Sequence, residues 1–387
     1  MSRLIVIRRW LPVWLIVFVA AAALARAQTV EPLPAPEGSV APPMYLGEPF
    51  GGELSGIPNA VGVDMLPEWP RWFAGASGLI MTRTLPGGVP TMQPLGGVQL
   101  STGDASASWP GGVDLHLGRW FGPRQHHGVE FIYWGVYGIG STAAVASVPA
   151  NSISAIPQAG AGVTLAGQPA DAYLIGAASQ SVTRSDLVND IEINWLYALW
   201  ERPEFLPRDR GVSLIWLAGF RFFQVEDVLT LSTAAGDPAL GSADVGVATN
   251  NNLYGGQVGA KFDWRFLPRL RFTAVPKFLV AGNSITNTTT LESAGGTVAT
   301  FADGSPVSVH STLGVFSWLG SVDTGLAWDV TDRWTLSLGY RVVGVGNIAQ
   351  ADSQWPTLIS DSASLSGISA GGSTIIHGGY AGFEGRY

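Results

Sequence analysis

The sequence predicts an all-β protein: a membrane-spanning, antiparallel, up-and-down β-barrel of about ten strands. Three observations carry this prediction, namely long stretches of alternating apolar and polar residues, connections that alternate in length, and a composition poor in charge. Only 13% of the residues are charged, against about 25% in ordinary soluble proteins, while 50 glycines and 15 tryptophans are present. Few charges with many glycines and indoles are typical of a barrel wall rather than of a cytoplasmic enzyme.

The alternation is clearest in the stretch Tyr254–Asn283, which forms two arms joined only by Leu267-Pro268. One face of the two arms is apolar: Val258, Ala260, Phe262, Trp264, Phe266, Leu270, Phe272, Ala274, Phe278 and Val280. The other face carries Gly259, Lys261, Asp263, Arg265, Arg269, Arg271, Thr273, Val275 and Lys277. A period of two residues indicates β-strands, and strands of about 9 to 11 residues with one apolar face cross a bilayer as part of a closed barrel.

Two segments precede the predicted barrel, which spans residues 71–387. Arg3, Arg8 and Arg9 followed by an apolar run and Ala25-Arg26-Ala27 predict a cleaved signal peptide over residues 1–27. A single uncleaved anchor and a twin-arginine signal are the alternatives. Residues 28–70 are rich in Pro and Gly and are interpreted as a periplasmic lead-in. Removal of the signal takes away four arginines and no acid, which leaves an acidic protein and disfavours nucleic acid as a partner.

Ten strands are expected along the barrel, with short turns and long loops in alternation. Their approximate ranges are 71–82, 113–120, 128–137, 187–200, 212–225, 254–266, 270–283, 315–329, 334–345 and 373–387. The long connections are near 83–112, 139–185, 226–251, 284–314 and 346–372. Short turns on the side of both termini and long loops on the other side are the layout of bacterial outer-membrane barrels. Twelve strands is the alternative, because Val163-Thr-Leu and Ala172-Tyr-Leu-Ile resemble an extra hairpin.

Aromatic residues cluster beside the short turns, where amphipathic rings collect at a membrane interface. The expected interface aromatics are Trp72, Trp120, Trp200, Trp264, Trp328, Trp334 and Tyr387. The terminal Phe383 and Tyr387 fit a closing strand that the barrel assembly machinery reads, although Gly385 stands where a bulkier residue is usual. The expected location is therefore the bacterial outer membrane, with its lipid and the assembly machinery as partners.

Several segments together resemble the beta-barrel porin-7 type family of planctomycete outer-membrane barrels. The segments are Trp72-Phe-Ala-Gly-Ala-Ser-Gly-Leu, Asp190-Ile-Glu-Ile-Asn-Trp, Leu217-Ala-Gly-Phe-Arg-Phe-Phe-Gln-Val-Glu-Asp, Asn250-Asn-Asn-Leu-Tyr-Gly-Gly-Gln-Val-Gly-Ala-Lys-Phe-Asp-Trp-Arg and Leu338-Gly-Tyr-Arg. The resemblance covers about Trp69 to Tyr387, with the loops unmatched. It implies an outer-membrane barrel of undefined cargo and supplies no catalytic residues.

Charged residues at inward positions are the candidate functional set. They are Arg221, Lys261, Asp263, Arg265, Arg271, Lys277, Asp323, Asp329 and Arg341. They line a pore that filters solutes by charge, or they pair across strands and fill a narrow lumen, since barrels of about eight strands are filled by side chains. The packed or narrowly open lumen is favoured, which predicts a small porin or a structural and adhesion barrel.

Catalytic and metal chemistry is mostly absent from the sequence pattern. There is no cysteine, and His126-His127 in a predicted turn reads as a solvated pair rather than as metal ligands. No cofactor or metal is expected. A hydrolase that uses His116 or His310 is the weakest alternative. A secreted β-sandwich that binds carbohydrate through tryptophan is the main rival, and it requires Phe262, Trp264, Phe272 and Phe278 to pack against a second sheet.

Overall fold

Ten antiparallel strands form a sheet that closes on itself. The computed structural model describes residues 70–93, 99–122, 125–147, 152–199, 202 and 211–387. The barrel strands are β1 (Trp72–Arg83), β2 (Gly111–Phe121), β3 (His127–Ile139), β4 (Ser179–Ala198), β5 (Gly211–Ala234), β6 (Ser242–Leu267), β7 (Leu270–Ser293), β8 (Ser308–Asp329), β9 (Trp334–Ile348) and β10 (Gly372–Arg386). Each strand pairs with the next, and β10 pairs with β1 from Phe73↔Arg386 to Arg83↔Ile376. The predicted ten-stranded barrel is confirmed, and the rival β-sandwich is wrong because the large sheet closes into one ring instead of forming two packed layers.

The predicted sorting of connections is confirmed with one exception. Short connections join β2 to β3, β6 to β7 at Pro268-Arg269 and β8 to β9 at 330–333, all on the side where β1 begins and β10 ends. We call this the periplasmic side and the other the extracellular side, as in bacterial outer-membrane barrels. The expected connection at 226–251 is wrong, because β5 and β6 continue through it and only residues 235–241 separate them. The predicted signal peptide (1–27) and lead-in (28–70) fall outside the described residues except for Pro70.

An apolar belt surrounds the outer face of the barrel. On β7 the outward residues are apolar from Leu270 to Val280 and become Ser284, Thr286 and Thr288 above it. Eleven residues at about 3.3 Å each cover roughly 33 Å along a strand, or about 25 Å along the normal of the membrane at the usual tilt. The belt therefore matches the hydrocarbon thickness that outer-membrane barrels cross.

The wall of the barrel has two heights. Strands β4 to β8 contain 20, 24, 26, 24 and 22 residues. Strands β1, β2, β3, β9 and β10 contain 12, 11, 13, 15 and 15. We call the first group the tall wall and the second the low wall. Both groups cross the belt, so the extra length of the tall wall stands on the extracellular side.

Extracellular loops pack against the inner face of the tall wall. We call this assembly the plug, formed by the described parts of 84–110, 140–178, 294–307 and 349–371. Met92, Tyr173, Phe301 and Trp355 from the four loops belong to one buried apolar cluster with wall residues such as Leu229. The twelve-strand alternative is wrong, because Asp171–Leu174 is a single helical turn and Thr164–Leu165 lies outside the barrel sheet, with a two-residue pair to Gln168–Pro169 and one bridge from Thr164 to Thr300. Along the described stretches, no helix has the length and apolarity needed to cross a membrane.

Candidate functional site: the layered interior of the barrel

The interior of the barrel is layered, and the inward residues of β5 give the order. From the periplasmic side upward these are Arg221, Phe223, Val225, Asp227 and Leu229, all buried. A charged layer is thus followed by an apolar layer, a second charged layer and the plug. Every second side chain of a strand points inside, so successive inward residues of β5 lie at successive levels of the lumen, and each level has its own chemical type.

The lowest layer is a chamber lined with paired charges. Arg341 lies between two acids, with Nη2 2.7 Å from Asp114 Oδ2 and Nε 2.8 Å from Asp323 Oδ1. Lys261 pairs with Glu130 across the lumen. Opposite charges therefore face each other across the chamber and neutralise one another.

Beside the periplasmic mouth a second group of charges links three strands. Arg271 Nε lies 3.1 Å from Asp263 Oδ1, and Arg265 Nη2 lies 2.9 Å from Asp329 Oδ2. Arg271 also pairs with Asp329, which joins β6, β7 and β8. Such networks satisfy the buried charges that a low-dielectric interior would otherwise penalise.

His116 and Glu384 meet in the chamber across a glycine. His116 Nε2 lies 3.2 Å from Glu384 Oε2, and Arg386 Nε donates to Glu384 Oε1 at 3.0 Å. Gly75 of β1 stands between the two strands, and a Cβ there would lie 2.3 Å from His116 Cε1. Only a residue without a side chain leaves room for the imidazole to cross β1 and reach the carboxylate.

The ceiling of the chamber is a buried polar network around Glu192. Its carboxylate accepts from Lys277 Nζ at 2.8 Å, from Gln257 Nε2 at 2.8 Å and from Asn194 Nδ2 at 2.9 Å. Arg221 Nε donates to Asp190 Oδ1 at 2.7 Å in the same network. The acids on β4 were missed as site residues from the sequence, although their alternation, Asp190-Ile-Glu192-Ile-Asn194, is the signal that places them inside.

Above the network lies an apolar layer that we call the waist. It consists of Leu79, Met81, Ile132, Trp134, Val136, Val188, Phe223, Val225, Leu253, Leu279, Ala281, Leu319, Val343, Val345 and Ile376, which belong to one buried cluster. Every barrel strand except β2 contributes to the set. Residues from nine strands belong to this one cluster, and each of them is at most 8% exposed, so solvent is largely excluded from the inner face at this level.

A second charged layer, the latch, joins the wall to the plug. Arg184 lies 2.8 Å from Asp227 Oδ1 and 2.8 Å from Asp352 Oδ2, and Asp352 belongs to the loop 349–371. Arg83 lies 2.9 Å from Asp186 and 2.8 Å from Asp227. The Arg184 guanidinium also donates to the Ala105 carbonyl of the loop 84–110 at 3.3 Å. Two loops are therefore held to the wall by one arginine.

All nine residues proposed to line the lumen lie on inward faces, and each pairs with an opposite charge. The structure divides them between levels: Arg221 and Lys277 belong to the ceiling, and the others to the chamber. Sequence reasoning missed the partners Asp114, Glu130, Asp190 and Glu192. It also missed the latch entirely, since its members occupy segments that were interpreted as strand ends and loops.

Most proposed interface aromatics lie on the outer face near the short turns. Trp72, Trp328, Trp334 and Tyr387 are exposed there, and Trp264 packs against Phe266. Trp334 and Tyr387 also cover Gly385, where a Cβ would lie 3.0 Å from the indole, which explains the glycine in the closing strand. Trp200 lies outside the described residues.

Trp120 is a correction. It is only 4% exposed and lies on the inward face of β2, beside Phe73 at 6.1 Å between ring centroids. The guanidinium of Arg202 lies 4.9 Å from its ring centroid. The parity of β2 explains the position, because Trp120 shares its face with Asp114 and His116.

The two histidines considered for catalysis lie apart. His116 faces the chamber, whereas His310 lies on the outward face of β8, where its Nδ1 is 3.1 Å from Thr288 Oγ1. His126 contacts the carbonyl of Ala198, and His127 lies beside the rings of Trp195 and Tyr197. Over the described ranges, no group of three or more His, Asp or Glu side chains has the geometry to hold a metal ion.

Comparison with known proteins gives one family and several structural neighbours. Escherichia coli outer membrane protease OmpT is 11% identical over 82% of this chain and 97% of its own, with a TM-score of 0.45. The Pseudomonas putida toluene transporter TodX is 8% identical over 83% and 91%, with a TM-score of 0.30. A Pseudomonas aeruginosa FadL homologue is 11% identical over 83% and 90%, with a TM-score of 0.23. No curated protein matches the chain.

The family is established by the sequence of the barrel itself. The model described as beta barrel porin-7 (BBP7) matches residues 79–371, which is well over half of the chain and runs from within β1 to the residue before β10. Together with the closed ten-stranded sheet and its apolar belt, this match places the protein in the bacterial outer membrane. The chain belongs to the beta barrel porin-7 family.

Proposed function

We propose that this protein is a closed outer-membrane barrel that anchors its tall wall and plug at the cell surface, rather than a conducting pore. The waist is the single observation that carries the proposal. Its side chains come from nine strands and include Trp134 and Phe223, whose ring centroids are 5.9 Å apart. Asp190 lies in register between these two residues and is paired with Arg221, so the side chains of the waist itself offer ions no groups to replace their hydration shells.

The charged chamber below the waist is then a narrow vestibule that ends blindly. Its acids and bases neutralise each other in pairs, and the network around Glu192 occupies its upper end. The nine lumen charges act in this proposal as ties between strands rather than as a filter. A small porin is the second candidate, supported by the name of the family, and it requires both the waist and the plug to move aside.

No catalysis is proposed for this chain. The pair formed by His116 and Glu384 lies in the vestibule, and His310 lies on another face. The interface aromatics on the periplasmic rim support a membrane anchor, since Trp and Tyr are enriched at that depth. The structural and adhesion role is thus the function that the geometry supports best.

Conductance of the refolded full chain in planar bilayers tests the proposal. We expect no stepwise ion current at moderate voltage, while a known porin added to the same bilayer produces steps and shows that insertion is detectable. Insertion of this chain is verified separately by its heat-modifiable mobility on gels. Uniform steps of one size from each batch would overturn the closed barrel and favour the small porin.

A matched variant distinguishes the two roles considered for the chamber charges, which are ties between strands and a filter for ions. Lys261→Gln removes a chamber charge without touching the waist, so the closed barrel predicts no current from it either. If the wild-type protein conducts, a difference in ion selectivity between it and the Lys261→Gln variant would show that the chamber charges act as a filter.

A further inference from the structure

The extracellular part of β8 has one side without a partner strand. Residues Ser308–Ser317 pair with β7, from Thr290↔Ser308 to Ala281↔Ser317. On the other side β9 pairs with β8 only from Trp318↔Gly346 downward. Over the described ranges, no backbone hydrogen bond joins Ser308–Ser317 to any strand but β7. We call this segment the β8 edge.

The edge is free because β9 is drawn away from it. The register shifts between Gly346 and Ile348, and Asn347 has a left-handed φ of 59°. The chain then enters the barrel, where the Ala349 N–H donates to Asn251 Oδ1 at 2.8 Å. The Ala351 N–H donates to Asp227 Oδ2 at 3.1 Å, within the latch. The register shift, the left-handed residue and the two hydrogen bonds fix the path of the chain at the end of β9. The β8 edge is therefore a defined feature of the fold rather than a frayed strand end.

The β8 edge lacks the residues that normally protect an edge strand. Natural edges carry lysines, prolines or bulges, or they are very short. Ser308–Ser317 contains neither charge nor proline, and His310 is its only titratable side chain. The other extracellular edge, Thr142–Ala146 beside β4, has only five residues.

In the middle of the β8 edge side chains are open to solvent on both faces, whereas Val309 and Ser317 near its two ends are buried. Leu313 is 37% exposed on the inner face and Phe316 is 58% exposed on the outer face. A Cβ on Gly314 would meet no atom within 4 Å. The edge thus offers a row of backbone groups with apolar side chains beside it and free space around it.

We propose that the β8 edge binds an extended, uncharged segment of a partner polypeptide, which adds a strand to the tall wall. Backbone donors and acceptors at strand spacing are matched by another strand and by few other ligands. The absence of charge along the edge favours a segment without charges, and Leu313, Val315 and Phe316 supply apolar contacts. The proposal concerns the partner and does not depend on whether the lumen conducts.

A second copy of this chain is a poor occupant for a physical reason. Two copies in one membrane stand the same way up, so their β8 strands would run parallel. A two-fold axis along the membrane normal then sets each residue opposite its own copy, with N–H facing N–H and C=O facing C=O. A separate segment is free to choose its direction and register.

Binding of a strand-forming peptide to the full chain in detergent tests the proposal. The probe is a fluorescent ten-residue peptide of alternating Thr and Val, and its anisotropy reports binding. We expect saturable binding that weakens at least tenfold in Leu313→Lys and in Gly314→Lys. Thr230→Lys, on the outward face of β5 within the same wall, is the matched control and retains wild-type binding.

A second probe and a folding check make the result decisive. The same peptide with every backbone amide methylated has no backbone N–H donors, although its threonine hydroxyls remain, and we expect it not to bind. Each variant is first shown to be folded by its heat-modifiable mobility. The proposal is overturned by absence of saturable binding to the unmodified protein, by equal binding in the two edge variants, or by equal binding of the methylated peptide. Dimers that form without peptide and disappear in the edge variants would replace it with self-association.

Discussion

Glu192 shows how single residues decide whether the interior of this barrel tolerates charge. It is 1% exposed, yet it accepts from Lys277, Gln257 and Asn194. A buried carboxylate is expensive to desolvate, and its partners make the arrangement tolerable. The sequence identifies Lys277 as an inward residue, but it does not identify the acid on a strand 85 positions away in the chain.

Loss of one member of this pair is expected to destabilise the barrel. Glu192→Gln keeps the size of the side chain but leaves Lys277 buried without a counter-charge, at a cost of about 3 to 5 kcal/mol. Denaturant unfolding of the barrel in detergent measures the loss. Glu226→Gln, at an outward position on β5, is the control and changes little.

The double variant distinguishes the charge effect from simple loss of packing. Glu192→Gln with Lys277→Gln removes both charges, and we expect it to recover part of the lost stability. A double variant as unstable as the sum of the two single variants would contradict a direct pair.

Gly75 gives a second prediction at the scale of one residue. Gly75→Ala puts a Cβ 2.3 Å from His116 Cε1 and 2.6 Å from the Phe383 carbonyl oxygen, so the imidazole or the backbone has to move. Overpacking of this kind costs about 1 to 3 kcal/mol. Gly78→Ala on the same strand, where a Cβ meets no atom within 4 Å, is the matched control for denaturant unfolding. Equal effects of the two changes would indicate that glycine matters only for strand propensity.

At the scale of single elements, β7 shows what a sequence reveals about a membrane strand and what it conceals. Between Leu270 and Val280 every residue on the lipid face is apolar and every polar residue lies inside, as the alternation predicts. Above the belt the outward residues are Thr286, Thr288 and Thr290, which have the composition of a loop. The end of the strand was therefore predicted too early, because the change of solvent removes the alternation while the strand continues.

The position of the belt on β7 can be tested with one charge at two heights. Phe278→Arg puts a guanidinium among the lipid-facing residues of the belt, where it costs up to about 2 to 4 kcal/mol at the bilayer midplane. Thr286→Arg carries the same change on the same face of the same strand above the belt. We expect reduced folding into lipid vesicles only for Phe278→Arg, read from the heat-modifiable fraction. Equal folding of both variants would place the membrane elsewhere.

At the scale of the whole molecule, the closed sheet and its sorted turns were predictable because they repeat along the chain. The interior was predictable only in part: the alternation identifies inward residues, but nothing local assigns them to a chamber, a waist or a latch. Those layers arise from the registers at which neighbouring strands such as β4 and β5 pair, and from ring closure, which brings β10 beside β1. Trp120 illustrates the limit, since its place near a turn suggested the interface while its parity placed it inside.

The latch predicts that the plug can be loosened while the barrel remains intact. Arg184→Met removes the side chain that contacts Asp227, Asp352 and the Ala105 carbonyl. We expect faster proteolysis within 84–110 and 349–371, unchanged heat-modifiable mobility, and still no ion current, because the waist is independent of the latch.

Arg333→Met, in a short periplasmic turn, is the control for the loss of a positive charge and leaves the rate of loop cleavage unchanged. Ion current through Arg184→Met would show instead that the plug alone closes the lumen.

Because the tall wall and the low wall differ in height, the protein presents different surfaces in different directions within the plane of the membrane. A particle or antibody that approaches over the low wall reaches the loops at once, whereas one that approaches from the opposite side meets a screen of small hydroxyl and amide side chains such as Thr230, Asn250 and Thr286. Access to the plug from outside the cell therefore depends on the direction of approach around the barrel as well as on height above the membrane. A surface label that reacts at different rates with the tall wall and the low wall would report which side of the protein faces its neighbours in the membrane.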